Sequence, residues 1–134
     1  MKTILVLENE PIVMDVLRRI LEQYDVIEAS SAQEAIRIFR SHEGRIDLLV
    51  ADLTLPTSSG LQVALLLRAQ NECLPIIVTS GYPVSLWSGR DCADLESLGP
   101  TSLVFLQKPF LSGVLLDTVR GLIGAAVAGR VAAT

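Results

Sequence analysis

The sequence predicts an α/β protein: an open, doubly wound sheet of five parallel strands with helices on both faces. Two observations carry this. Short apolar runs without polar alternation recur along the chain, as strands covered on both faces require. Between them the apolar spacing changes to the helical period, so that strand and helix alternate five times. A third observation concerns the ends of the runs. They give way to polar residues, at the sheet edge where folds of this class keep their ligand sites.

The first strand is "TILVL" (3–7). The helix after it sets Ile12, Val16, Leu17 and Ile20 at helical spacing, with Arg18, Arg19 and Glu22 elsewhere on the turn. "DVIEA" (25–29) is a weaker run, suited to a strand near an edge. Ser31 reads as the N-cap of the second helix, whose apolar face is Ala32, Ala35, Ile36 and Phe39. The third strand, "DLLVA" (47–51), runs straight into Asp52 and a Thr-Leu-Pro turn. After "TSSG" (57–60), Leu61, Ala64, Leu65 and Arg68 repeat the helical period, and "PIIVT" (75–79) is the fourth strand. Segment 83–99 is the least clear, because Gly89 and scattered polar residues weaken a helix there. "SLVFL" (102–106) is the last strand. Leu111, Val114, Leu115, Thr118, Val119 and Leu122 form the last helix, with Ser112 near its start and its end near residue 128. One domain over 1–128 and a short C-terminal tail over 129–134 are therefore expected, as a stand-alone unit or as a piece of a larger protein.

Composition excludes several classes. A chain of 134 residues, half of them hydrophobic and 19% charged, is a packed globule rather than a disordered tail. A net charge of −4 with 11 scattered Lys and Arg argues against direct nucleic-acid contact. Cys73 and Cys92 have no CxxC and no neighbouring histidine, which speaks against zinc and for buried free thiols in a reducing compartment. The apolar N-terminal stretch is too short for a signal peptide, and "GVLLDTVRGLIGAAVAG" (113–129) is too short and too polar to span a bilayer. The expectation is a cytoplasmic protein without a membrane partner.

The chemistry sits at the strand ends. Glu8-Asn9-Glu10 follow the first strand, Asp52 the third, Thr79-Ser80 the fourth, and Gln107-Lys108-Pro109 the fifth. Gathered at one sheet edge, these acids, hydroxyls and single lysine form a cluster that no core tolerates unless it binds something. The set suits phosphoryl transfer to a carboxylate, with Asp52 as the attacking group and an acyl phosphate as the product. The added negative charge calls for Mg²⁺, held by one or two carboxylates and phosphate oxygens. Lys108 would neutralise a phosphoryl oxygen as a point charge, and Ser80 or Thr79 would donate a hydrogen bond to another.

Four segments, "ILVLENEP", "LLVADLTLPTSSGLQV", "LPIIVTSGY" and "VFLQKPF", together resemble the motifs of bacterial two-component response-regulator receiver domains, in order and over essentially the whole chain. The resemblance implies a flavodoxin-like (βα)₅ fold with Asp52 as phosphoacceptor. It implies Mg²⁺ held by Glu8, Asn9, Asp52 and the backbone carbonyl of Thr54. Ser80 becomes the switch hydroxyl, with Thr79 the off-by-one alternative, and Phe105 the switch aromatic. Lys108 takes the family lysine's role, and Pro109 follows a cis peptide bond. Implied partners are a sensor histidine kinase or phosphotransfer protein, and a downstream effector on the face of the fourth helix, fifth strand and fifth helix; a homodimer is also allowed. The protein would be no enzyme beyond its own phosphotransfer and dephosphorylation.

The sequence departs from that pattern in two places. Where the family has two aspartates it has Glu8 and Asn9, which removes a formal charge and should weaken Mg²⁺ binding. Less crowding of acids should also let Asp52 ionise more easily. The stretch from Ser80 to Lys108 is longer than expected, with the excess assigned to the fourth helix. Asn9 supports an alternative reading, a phosphorylation-independent pseudo-receiver that acts as an interaction module. A flavodoxin-like cofactor binder would need a glycine-bearing phosphate loop after the first strand, which is missing. Glu10 reads as a solvated acid at a helix start, His42 as a surface residue near a helix end, and Trp87 as a cover for the core or, failing that, an anchor for a partner.

Overall fold

The structure, a computed structural model, describes residues 1–125. Five strands, β1 (Thr3–Leu7), β2 (Asp25–Ala29), β3 (Leu48–Asp52), β4 (Ile76–Ser80) and β5 (Leu103–Gln107), form one sheet in the order β2-β1-β3-β4-β5. Every pairing is parallel. Helices α1 (Pro11–Ile20), α2 (Ala32–Ser41), α3 (Gly60–Gln70), α4 (Gly89–Leu98) and α5 (Ser112–Ile123) make the crossovers. The strand order reverses between β1 and β3, which opens a crevice outside their carboxyl ends.

Successive strand residues feed opposite faces, which explains why the apolar runs lack polar alternation. Leu5, Leu7, Leu49, Ala51, Ile76 and Val78 pack toward α2 and α3, with Trp87 and Leu98 in the same cluster. Ile4, Val6, Leu48, Val50 and Ile77 pack toward α1 and α5, against Met14, Leu17, Leu115 and Val119. Arg68 ties α3 to its neighbours at the opposite edge of the sheet from the crevice. Its guanidinium donates to the carbonyls of Leu74, Leu98 and Thr101 at 3.0, 2.8 and 2.8 Å. β2 lies at the sheet edge, as its weaker run predicts.

Several elements differ in detail from the sequence reading. β3, β4 and β5 begin and end one residue later than expected. Pro75 has no N–H for the ladder, and Asp47 meets Thr3 just before β3, its amide donating to the Thr3 carbonyl and its carboxylate accepting from the Thr3 amide, each at 2.8 Å. The shift makes Asp52 and Ser80 the last residues of their strands rather than the first beyond them. α1 buries Met14 and Leu17, whereas Ile12 and Val16 are 79% and 50% exposed. Val16 lies about 100° around the helix from Leu17, on the side turned away from the core. α5 buries Leu115 and Val119 but leaves Leu111 and Val114 exposed.

α5 ends at Ile123 rather than near 128, because Gly124 takes a φ of +84° and stops it. The expected tail, 129–134, lies outside the described residues. Segment 83–99 resolves into a single 3₁₀ turn, Val84–Leu86, followed by α4, whose N-cap Ser88 accepts from the Asp91 amide at 3.1 Å. Part of the length assigned to the fourth helix thus lies in the turn before it. Both cysteines are free, but exposed rather than buried, one in the α3–β4 connection and one on the outer side of α4. Among the described residues no helix is long and apolar enough to cross a membrane.

Candidate functional site

The carboxyl ends of β1, β3, β4 and β5 bring the polar residues together. Asp52 closes β3 opposite Thr79 and is 6% exposed. The backbone beyond it is pinned on both sides: the Leu53 amide donates to the Thr79 carbonyl at 2.8 Å, and the Gly60 amide to the Leu53 carbonyl at 3.0 Å. Gly60 has to be glycine, because a Cβ there would overlap the Asp52 carbonyl oxygen. The first turn of α3 can therefore lie directly against the end of β3.

Glu8, 2% exposed, follows β1. Its Oε1 accepts from the Lys108 ammonium at 3.0 Å, and its Oε2 from the Glu10 amide at 3.1 Å. The Lys108 Nζ stands 3.5 Å from Asp52 Oδ1. The Lys108 amide donates to the Ser80 carbonyl at 2.7 Å, so the β4–β5 ladder delivers the lysine to the site. The Lys108–Pro109 peptide bond is cis, as the resemblance implied.

The electrostatics correct one expectation. Burial, reinforced by the Glu8 charge, pushes the Asp52 carboxyl up to about 6 against the opposing pull of Lys108 and the Thr54 amide. Counting acids alone suggested easier ionisation, but desolvation outweighs the charge that Asn9 removes. For Lys108 burial lowers the pKa, but the Glu8 hydrogen bond and the two carboxylate charges outweigh it and raise the group overall.

A surface cleft of about 490 Å³ opens over Asp52, lined also by Asn9, Glu10, Thr54, Tyr82 and Lys108. Among the described residues no three His, Cys, Asp or Glu side chains converge as a metal cluster. The oxygen-bearing residues that line the cleft include Asp52, Asn9, Glu10 and Thr54. Glu8 has both carboxylate oxygens engaged elsewhere. An all-oxygen set with one or two carboxylates fits Mg²⁺, which keeps several waters and takes one or two carboxylates plus phosphate oxygens.

Thr79 and Ser80 are both buried at the end of β4. The Ser80 hydroxyl accepts from the Tyr82 amide at 3.0 Å. Phe105, in β5, is half-buried and meets the ring of Trp87 edge-on. Three residues escaped the sequence reading in these roles. Gly60 was legible only as part of a turn, Arg68 only as a helix position, and Trp87 only as core cover. Their signals are long-range contacts that no local pattern announces.

The response regulator receiver domain family model matches residues 4–120. The chain belongs to that family. It is a response regulator receiver domain of the two-component type. Among curated relatives, response regulator GtcR of Aneurinibacillus migulanus is 34% identical over 112 residues, covering 81% of this chain and 42% of GtcR. The receiver spans less than half the length of the first curated relatives it matches. Among solved structures, the response regulator receiver protein from Sinorhizobium medicae is 29% identical with a TM-score of 0.77, over 94% of this chain and 97% of that one. Response regulator protein TrrA from Thermotoga maritima, solved in complex with Mg(2+)-BeF, is 30% identical with a TM-score of 0.74, over 91% and 99% of the two chains.

Proposed function

We propose that this receiver is a phosphorylation switch in which Asp52 accepts a phosphoryl group from a sensor histidine kinase or phosphotransfer protein. The observation that carries the reading is a nearly buried carboxylate at the mouth of a cleft, 3.5 Å from a lysine ammonium. An Asp52 carboxylate oxygen attacks phosphorus as the bond from phosphorus to the donor's histidine nitrogen breaks, and the imidazole leaves with a proton from solvent. Lys108 balances charge on the phosphoryl oxygens, and the hydroxyl of Ser80, or of Thr79, donates to one of them. Mg²⁺, held by Asp52, Asn9 and the Thr54 carbonyl with Glu8 behind them, would supply the positive charge that a dianionic phosphoryl group needs beside a carboxylate. Hydrolysis of the acyl phosphate resets the site. The downstream effector would read the face formed by α4, β5 and α5, where Phe105 lies.

One observation favours the alternative of a phosphorylation-independent interaction module. Lys108 stands closer to Glu8 than to Asp52, at 3.0 against 3.5 Å, and Asn9 leaves the cation a neutral donor. Intact mass after incubation with phosphoramidate, with and without Mg²⁺, decides between them. The switch predicts one phosphoryl gain in the wild type that needs Mg²⁺ and is lost in Asp52→Ala. No gain at high Mg²⁺ would leave the interaction module.

A further inference from the structure

Besides the β4–β5 ladder, a chain of contacts through the Trp87 side chain links the end of β4 to Phe105. Ser80, fully buried, accepts from the Tyr82 amide at 3.0 Å. The Tyr82 carbonyl in turn accepts from the Trp87 indole Nε1 at 3.1 Å. Trp87, only 8% exposed, then sets its ring perpendicular to Phe105, with centroids 5.0 Å apart and an interplanar angle of 87°. The chain between is folded rather than loose. The Leu86 amide donates to the Pro83 carbonyl at 2.9 Å and the Trp87 amide to the Val84 carbonyl at 3.0 Å. Ser88, the next residue, caps α4.

We propose that Trp87 is a positioning residue for Ser80 and the link through which a displacement of the Ser80 hydroxyl reaches Phe105 and the start of α4. The inference rests on the reading of Asp52 as phosphoacceptor. A hydroxyl that turns to donate to a phosphoryl oxygen keeps its bond from the Tyr82 amide only if the turn after β4 follows it. The Tyr82 carbonyl then draws the indole with it, because releasing the N–H would strand a buried donor. A tilt of the indole changes its edge contact with Phe105, and the short 3₁₀ turn transmits the same shift to the N-cap of α4. The segment that moves carries the exposed side chains of Tyr82 and Leu86, so the surface it offers changes as well.

Trp87 is the only tryptophan, and its emission reports its surroundings directly. The experiment loads the protein with Mg²⁺ and beryllofluoride, with occupancy read separately by ¹⁹F NMR, and follows Trp87 emission and amide exchange. Occupancy should shift the emission in the wild type, and Ser80→Ala should remove most of that shift at equal occupancy. Trp87→Phe keeps a ring against Phe105 but lacks the N–H. At equal occupancy it should retain the exchange change at Gly81 and Tyr82 and lose at least half of the change at Phe105. Bound beryllofluoride with an unshifted emission, a full shift in Ser80→Ala, or an undiminished Phe105 change in Trp87→Phe would overturn the coupling alone. Absence of any bound ¹⁹F signal would overturn the phosphoacceptor reading and the coupling together.

Discussion

Asp52 holds a proton more tightly than an ordinary aspartate, at about 6 against 3.8, chiefly because it is buried. Between those values the folded chain keeps a proton that the unfolded chain has released. Stability from this group is therefore greatest in acid, falls as pH rises through the window, and stays lost above about 6. In protein stripped of divalent cations, Asp52→Asn should raise stability at pH 7 by about 1–3 kcal/mol, with the advantage vanishing toward pH 4. Urea denaturation at the two pH values checks this, and a destabilised Asn variant at pH 7 would contradict it. Lys108 has the opposite character, since it is the partner that makes buried Glu8 tolerable. Lys108→Ala should cost about 3 kcal/mol, because it strands the Glu8 charge. Adding Glu8→Gln should recover part of that loss, and a double-mutant cycle in urea measures the coupling. Strictly additive effects would mean that the pair carries no stabilisation of its own.

Among the elements, α1 and α3 show how packing decides what pattern leaves open. On α1 the spacing of Ile12 and Val16 is as helical as that of Met14 and Leu17, but only the second pair meets the sheet. Ile12→Ser should change stability by less than about 0.5 kcal/mol, whereas Leu17→Ala should cost about 2–5 kcal/mol. Thermal unfolding of the two variants distinguishes the faces, and comparable losses would contradict the assigned packing. The start of α3 is set by a close approach instead. Gly60→Ala forces a methyl group into the Asp52 carbonyl, so helix and strand have to part. The expected cost is about 2–3 kcal/mol, accompanied by slower phosphoryl uptake from a small donor. Denaturation together with the uptake rate checks it, and an unchanged rate would show that the Asp52 backbone can shift harmlessly.

At the scale of the molecule, much was legible because the physics was local. Three of the four strong apolar runs formed the central strands β1, β3 and β4 and the fourth formed edge strand β5, while Ser31 announced α2 as its N-cap, accepting from the Glu34 amide at 3.2 Å. The gathering of Glu8, Asp52 and Lys108 followed from strand ends in a parallel sheet, where alternation places every carboxyl terminus on one edge. What stayed hidden depended on partners distant in sequence. The pairing of Lys108 with Glu8, the dominance of desolvation at Asp52, the buried face of α1 and the reach of Trp87 to Phe105 are all set by contacts between elements. The α4 start was obscured by Gly89, a poor helix former that follows a strong cap. The central claim is that Asp52 takes up the phosphoryl group, and the most direct test locates the acyl phosphate in the chain. Protein incubated with phosphoramidate and Mg²⁺ is reduced with borohydride, which converts an aspartyl phosphate to homoserine, and the peptides are sequenced by mass spectrometry. The account predicts homoserine at position 52 in the sample with Mg²⁺ and none without it. Homoserine at another carboxylate, or at no position while the protein remains folded, would contradict it.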